Sequence, residues 1–119
     1  MGRRISGRMY QKGDVVFVNF PFSDGTKFKP RPAIVLSGRS VNQTGDYILV
    51  QITSNISRVD GLSLPITAVD LRNGSMPLTS VVRVHKLFTA EESLILRKMG
   101  AITLTFRQKL NARITALLR

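Results

Sequence analysis

Apolar positions in this chain fall into short runs, each bounded by glycine, proline or a polar cluster. Residues 15–20 read Val-Val-Phe-Val-Asn-Phe, β-branched or aromatic at nearly every position. That pattern predicts a strand buried on both faces, or one that closes a small barrel. The Gly13-Asp14 turn opens it, and Pro21, which lacks an N–H, stops its ladder. Ala33–Ser37 and Tyr47–Ile52 predict two more strands, with the polar, loop-like stretch 38–45 between them. Leu64–Val69 predicts a weak strand whose Pro65 suits a sheet edge. Asn73-Gly74 is the strongest turn signal along the chain. Thr79–Val84 predicts a further strand. Alternation puts Val82 and Val84 on one side of it and Val81, Arg83 and His85 on the other.

The pattern then changes. Thr89 and Glu92 form a capping box, Leu94, Ile95 and Met99 give a short apolar face, and Gly100 fits a helix C-terminal cap. A short helix is therefore predicted, with one more short strand at Ala101–Leu104. Thr105 and Gln108 repeat the capping-box spacing. Phe106, Leu110, Ile114, Leu117 and Leu118 follow at helical spacing, with Arg107, Lys109 and Arg113 off the apolar stripe. Five or six strands first and helices mainly last predict an α+β fold built on a small antiparallel barrel.

At 119 residues and 43% apolar content the chain predicts one folded domain, spanning residues 9–119. Residues 1–8, MGRRISGR, offer almost nothing to bury. They read as a disordered basic arm or a remnant of an upstream start site. Eighteen Lys and Arg face seven Asp and Glu, a net charge of +11. Taking away Arg3, Arg4 and Arg8 still leaves +8, so the basic character belongs to the patterned region. Such a charge points to a nucleic acid, an anionic membrane surface or an acidic protein partner. No apolar run approaches a membrane span, and the N-terminus lacks the apolar core of a signal peptide, which predicts a cytoplasmic protein with no membrane partner. With no cysteine there is no disulfide or thiolate chemistry, and one His does not supply a zinc site.

Three stretches carry candidate chemistry. In the first, Lys27, Lys29 and Arg31 alternate with Thr26, Phe28 and Pro30 between two strands. In an extended segment the three cations share a side, suited to tracking phosphates, and Phe22 or Phe28 suits stacking on a base. A merely solvated hairpin loop explains the same composition about as well. Arg31 is the sharper candidate, because Pro32 and the following strand fix its position and its planar guanidinium matches phosphate. In the second stretch, Thr53-Ser54-Asn55 offers hydroxyls and an amide at a strand exit, where turn capping is the commoner role. In the third, Arg83 and His85 sit on one side of a strand, followed by Lys86. A neutral imidazole beside a guanidinium would suit proton transfer with phosphate stabilisation, although a lone His is usually structural. The acidic residues are scattered, which disfavours metal-dependent nuclease chemistry and predicts neither metal nor cofactor. RNA supplies its own nucleophile in the 2′-hydroxyl.

Taken in order, GDVVFVNFPFSDG…KPRPAIVLS, VQITS and TSVVRVHKLFT with a closing helix resemble the MazF/PemK family of toxin endoribonucleases, from about Tyr10 to the C-terminus. Each motif is weak, and together in this order they are fairly specific. The resemblance implies a small SH3-like barrel with C-terminal helices, a homodimer and a cognate acidic antitoxin. It also implies metal-independent, sequence-selective cleavage of single-stranded RNA to 2′,3′-cyclic phosphate and 5′-hydroxyl ends. Position by position, Arg31 matches the arginine implicated in acid/base work and phosphate contact. Thr53 matches the hydroxyl that holds the scissile phosphate, Ser80 the serine opening the later strand, and Arg83 an arginine near the phosphate. Lys27, Phe28, Lys29, Ser54 and Lys86 are the expected substrate contacts. His85 stands where PemK-type members carry Asp, and the first loop lacks the His or Glu of several members. Three outcomes are open: His85 serves as a base, the mechanism rests on Arg31 and Thr53 while His85 reads a nucleobase, or activity is lost. A non-catalytic nucleic-acid binder, or a module for an acidic protein, would share the same charge and loops.

Overall fold

A computed structural model describes residues 9–21, 28–56, 60–76 and 79–119. Among the described residues there are seven strands: β1 (Asp14–Pro21), β2 (Phe28–Val35), β3 (Asp46–Thr53), β4 (Ser63–Ile66), β5 (Leu71–Gly74), β6 (Ser80–Glu91) and β7 (Ile95–Ile102). A short helix, α1 (Arg39–Asn42), precedes β3, and α2 (Leu104–Ala116) closes the chain. The strands form one antiparallel sheet in the order β4-β6-β3-β2-β1-β7-β5. Its edge strands β4 and β5 do not pair with each other, so the sheet is open rather than a closed barrel. Pro65 lies in the edge strand β4, as its missing N–H requires.

The sheet buries apolar side chains on both faces. Val15 joins one cluster with Ile34, Val50, Ile52, Val82 and Val84, which Phe106 and Leu110 of α2 cover. Its neighbour Val16 joins a second cluster with Val18, Ala33, Val35, Tyr47 and Leu49. The predicted two-faced burial of the first strand is thus observed, and the period of two sorts its residues between the clusters.

Strand β6 serves both clusters, and its register shows how. Val50 pairs with Leu87 and Ile52 with Val82, so the four residues 83–86 span the single position of Gln51. Three extra residues are an odd insertion, and an odd insertion reverses which side later side chains take. Accordingly Val82 and Val84 belong to the first cluster, whereas Phe88 and Ala90, also even-numbered, pack in the second.

Several sequence expectations are corrected here. The predicted helix after Thr89 is the end of β6, a 3-10 turn at Glu92–Leu94 and β7. Its capping residue Glu92 instead accepts a hydrogen bond from the Tyr47 hydroxyl at 2.8 Å. Pairing with the buried strand β1, from Asp14↔Ala101 to Val18↔Ile95, outweighs the local capping signal. Asn73-Gly74 does not turn the chain back but lies inside β5 against β7. Gly74 has φ +80°, and a Cβ there would stand 2.1 Å from the Met99 carbonyl oxygen. A Cβ on the paired Gly100 would stand 2.5 Å from the Asn73 oxygen, so both glycines serve close backbone approach rather than a turn or a helix cap. The loop-like stretch 38–45 contains α1, whose buried Asn42 donates to the Tyr10 and Ser37 carbonyls. The predicted final helix is α2, capped by Thr103, whose hydroxyl accepts from the Phe106 N–H at 3.1 Å, rather than by Thr105. Phe106 and Leu110 are buried on its stripe, whereas Leu118 is 81% exposed.

Candidate active site

Two strands that stop pairing create the main cleft. The β2–β3 ladder runs from Val35↔Leu49 to Ala33↔Gln51. Two residues further the same register would set Arg31 opposite Thr53. Arg31 instead stays with β1, opposite Val18, and Thr53 stays with β6, opposite Val81. The gap between them is a cavity of about 290 Å³ lined by Lys29, Arg31, Thr53, Ser54 and Ser80 on its polar side. Lys29 and Arg31 are two apart on one strand and share a side, as alternation predicts. The β2 strand begins at Phe28 rather than Ala33, so Arg31 sits on a hydrogen-bonded strand and not on a free loop.

A second, smaller cavity of about 170 Å³ is lined by Gln51, Thr53, Asn55, Arg83 and Lys86. The β6 bulge assembles it. In a regular strand Arg83 and Lys86 would point to opposite sides; the odd insertion brings both to the Gln51 side. His85 is exposed and lines neither cavity, whereas Arg83 and Lys86 both line the smaller one. Thr53 lines both cavities. Its hydroxyl accepts the Asn55 N–H at 3.1 Å, the turn-capping role, which leaves its own proton to donate.

The two arginines differ in setting. Arg31 is half-buried at the splayed strand ends. Arg83 is only 5% exposed, and its Nη1 donates to Asp60 Oδ1 at 3.0 Å and to Ser63 Oγ at 2.6 Å. An ion pair and a hydroxyl therefore fix that guanidinium, with Asp60 itself partly exposed. Among the described residues no Asp or Glu lines either cavity, so Lys29, Arg31, Arg83 and Lys86 set a positive potential there. Also among the described residues, no cluster of three His, Cys, Asp or Glu is placed to hold a metal, and no helix is long and apolar enough to cross a membrane.

Of the other expected contacts, Ser54 is exposed and Ser80 buried, both on the first cavity. Phe28 is 52% exposed and lines neither cavity. Lys27 lies outside the described residues. Sequence reasoning passed over Asp60 and Ser63, which hold Arg83, and Phe17, Met76 and Met99, which line the first cavity. Asp60 and Arg83 are 23 residues apart, and no local spacing signals their pairing.

A family model, PemK-like, MazF-like toxin of type II toxin-antitoxin system, matches residues 11–118. The chain belongs to this toxin family. Solved structures share its fold. MazF from Deinococcus radiodurans aligns with a TM-score of 0.73 at 19% identity, covering 93% of this chain and 97% of that one. An endoribonuclease in complex with its cognate antitoxin, from a mycobacterial species, gives 0.71 at 19% identity over 92% and 94% of the two chains. The Mycobacterium tuberculosis toxin MazF-mt6 gives 0.68 at 20% identity over 88% and 95%. A search of curated protein sequences found no significant match. Within the toxin family's span lie both cavities and every candidate residue.

Proposed function

We propose that this toxin-family chain is a metal-independent endoribonuclease that cleaves single-stranded RNA. In this reading the 2′-hydroxyl attacks the adjacent phosphorus and the P–O5′ bond breaks; water takes the 2′-hydroxyl proton and supplies the proton that the leaving 5′-oxygen gains, giving a 2′,3′-cyclic phosphate and a 5′-hydroxyl end. The carrying observation is the convergence of Arg31 and Thr53 at the splayed ends of β2 and β3, with Lys29 and Ser54 beside them. Arg31 stabilises the charge that develops on the phosphorane oxygens, and the Thr53 hydroxyl donates a hydrogen bond to them. A guanidinium does not give up its proton in a protein, so Arg31 acts here by charge and position rather than as a base. Arg83 and Lys86 hold a neighbouring phosphate across Thr53, Ser80 supports the cavity wall, and His85 and Phe28 contact RNA outside the scissile step. Lys27, two residues before Lys29 in the sequence, is a further contact to a flanking phosphate.

The partners in this reading are single-stranded RNA, a cognate acidic antitoxin and a second copy of the chain, all in the cytoplasm. The antitoxin-bound endoribonuclease of the same fold supports the second of these. The curled sheet is read as a half-open SH3-like barrel over residues 9–119, because the turned-over strand β6 carries side chains from one cluster to the other.

The test is incubation of the purified protein with mixed-sequence RNA in EDTA. New 5′-hydroxyl ends that vanish with Arg31→Ala support the nuclease; their absence in the parent refutes it. The engagement of Arg83 by Asp60 and Ser63 favours a second reading, a non-catalytic RNA binder. That protein would bind RNA with a steep salt dependence and leave it intact.

A further inference from the structure

Arg113, in the last turn of α2, lines neither cavity. It is half-buried, and its Nη2 donates to the Gly61 carbonyl at 2.8 Å and to the Ser63 carbonyl at 3.3 Å. That nitrogen carries two N–H donors, enough for both carbonyls. The carbonyls belong to a turn, residues 60–63, closed by the Ser63 N–H on the Asp60 carbonyl at 3.5 Å. The side chains at the two ends of the same turn, Asp60 and Ser63, hold Nη1 of Arg83 at 3.0 and 2.6 Å. Asp60 Oδ1 also accepts the Leu62 N–H at 3.0 Å, which ties the carboxylate to the turn. One turn therefore joins two arginines: its backbone oxygens take Arg113 and its side-chain oxygens take Arg83.

The ladder beside this turn is short. The turn leads into β4, four residues at the sheet edge that pair with β6 alone, and the Val84 N–H on the Leu62 carbonyl at 3.0 Å adds one step. Ser63 pairs with Arg83, the residue at which the three-residue insertion in β6 begins. Broken register leaves the direction of a side chain to its partners rather than to the ladder. Asp60 and Ser63 are those partners, and Arg113 ties their turn to α2. Resting on the reading of the smaller cavity as a site for an RNA phosphate, we infer that Arg113 is a positioning residue for RNA binding: through the turn at 60–63 it sets the direction in which Arg83 enters that cavity. Arg113 itself does not touch the RNA. A guanidinium held in its bound direction spares the cost of ordering a long side chain when phosphate arrives, an effect of about threefold to tenfold in affinity.

The test is a double-mutant cycle on binding, read with RNA that is not cut. Single-stranded RNA octamers with 2′-fluoro sugars lack the attacking hydroxyl. Arg113→Met, which keeps the stem and removes the donors, should lower affinity about threefold to tenfold. Arg83→Met should lower it at least as much, and the double variant should bind no more weakly than Arg83→Met alone. In the Arg83→Met background, Arg113→Met should also leave the slope of log affinity against log salt unchanged. A further fall of about 0.7 would mean that Arg113 meets a phosphate itself, and would overturn the inference. The Arg83 Nε–H resonance, assigned as the signal missing from Arg83→Met, should move in Arg113→Met; a strut with no hold on Arg83 would leave it in place. Circular dichroism and the melting temperature identify misfolding. If Arg113→Met does not fold, Arg113→Gln, which keeps one donor group, enters the same cycle with the same expected outcome. Losses that add, or unchanged affinity in the folded variant, overturn the inference. If Arg83→Met binds as the parent does, the inference falls, while the nuclease reading stands on Arg31 and Thr53. A cycle that comes out as expected in a protein that yields no 5′-hydroxyl ends on ordinary RNA would overturn the nuclease reading and leave this inference standing.

Discussion

The two cavities on either side of Thr53 each contain one arginine, and a different part of the sheet places each. Arg31 owes its position to backbone: proline on both sides, a ladder with β1 and a missing ladder with β3. Arg83 owes its position to side chains, through Asp60 and Ser63. The splayed strand ends set the Arg31 guanidinium at the wall of the larger cavity. A guanidinium set by an ion pair is rigid but has already spent part of its charge, because a nearby carboxylate offsets the potential offered to phosphate. In the proposed mechanism, transition-state stabilisation falls to the first cavity and binding of a neighbouring phosphate to the second.

The largest effect should follow from Arg31→Ala. Cleavage of RNA should fall about 10²-fold or more, the scale for losing one donor to a developing oxyanion. Equal losses from Arg31→Ala and Arg83→Ala would erase the proposed distinction. Next comes Asp60→Ala, which leaves the buried Arg83 guanidinium with Ser63 as its remaining protein partner. Urea unfolding should show a loss of about 1–3 kcal/mol, at the lower part of that range because Asp60 is partly exposed. Arg83→Met should then cost less in the Asp60→Ala background than in the parent, and a double-mutant cycle would expose an additive pair.

Thr53→Val should slow cleavage roughly tenfold, the worth of one hydrogen bond to a charged group, while Thr53→Ser stays close to the parent. Because Thr53 lines both cavities, the valine variant should also weaken RNA binding; unchanged binding would confine Thr53 to the first cavity. The smallest change is expected for Lys29→Gln. Its affinity for RNA should drop only a few-fold, and the slope of log affinity against log salt should shrink by about 0.7, as for one phosphate contact on a single strand.

Much of the fold was legible in the chain. The two-faced strand at 15–20, the edge strand marked by Pro65 and the helical stripe through Phe106 and Leu110 all appear in the structure. The segment after Thr89 was not legible. Its capping box is a local preference worth on the order of 1 kcal/mol, and the pairing of β7 with a buried strand overrides it. Asn73-Gly74 misled for a related reason. Glycine there meets Gly100 from another strand, a contact 26 residues away that no dipeptide rule contains.

The same division runs through the candidate site. Sequence by itself determined a basic, proline-stiffened strand, an arginine held before a core run and a hydroxyl cluster at a strand exit. It also determined the family, because motif order survives where pairwise identity is low. Only the tertiary structure decided which of these meet. Strand alternation placed Arg83 with His85, whereas the three-residue insertion in β6 turns the strand over and sets Arg83 beside Lys86. Side-chain direction along a strand is a local property as long as the register is unbroken. A bulge is specified by what the neighbouring strands bury, and for that reason the partners of Arg83 and the methionines that line the cavity beside Arg31 emerge only once the sheet is assembled.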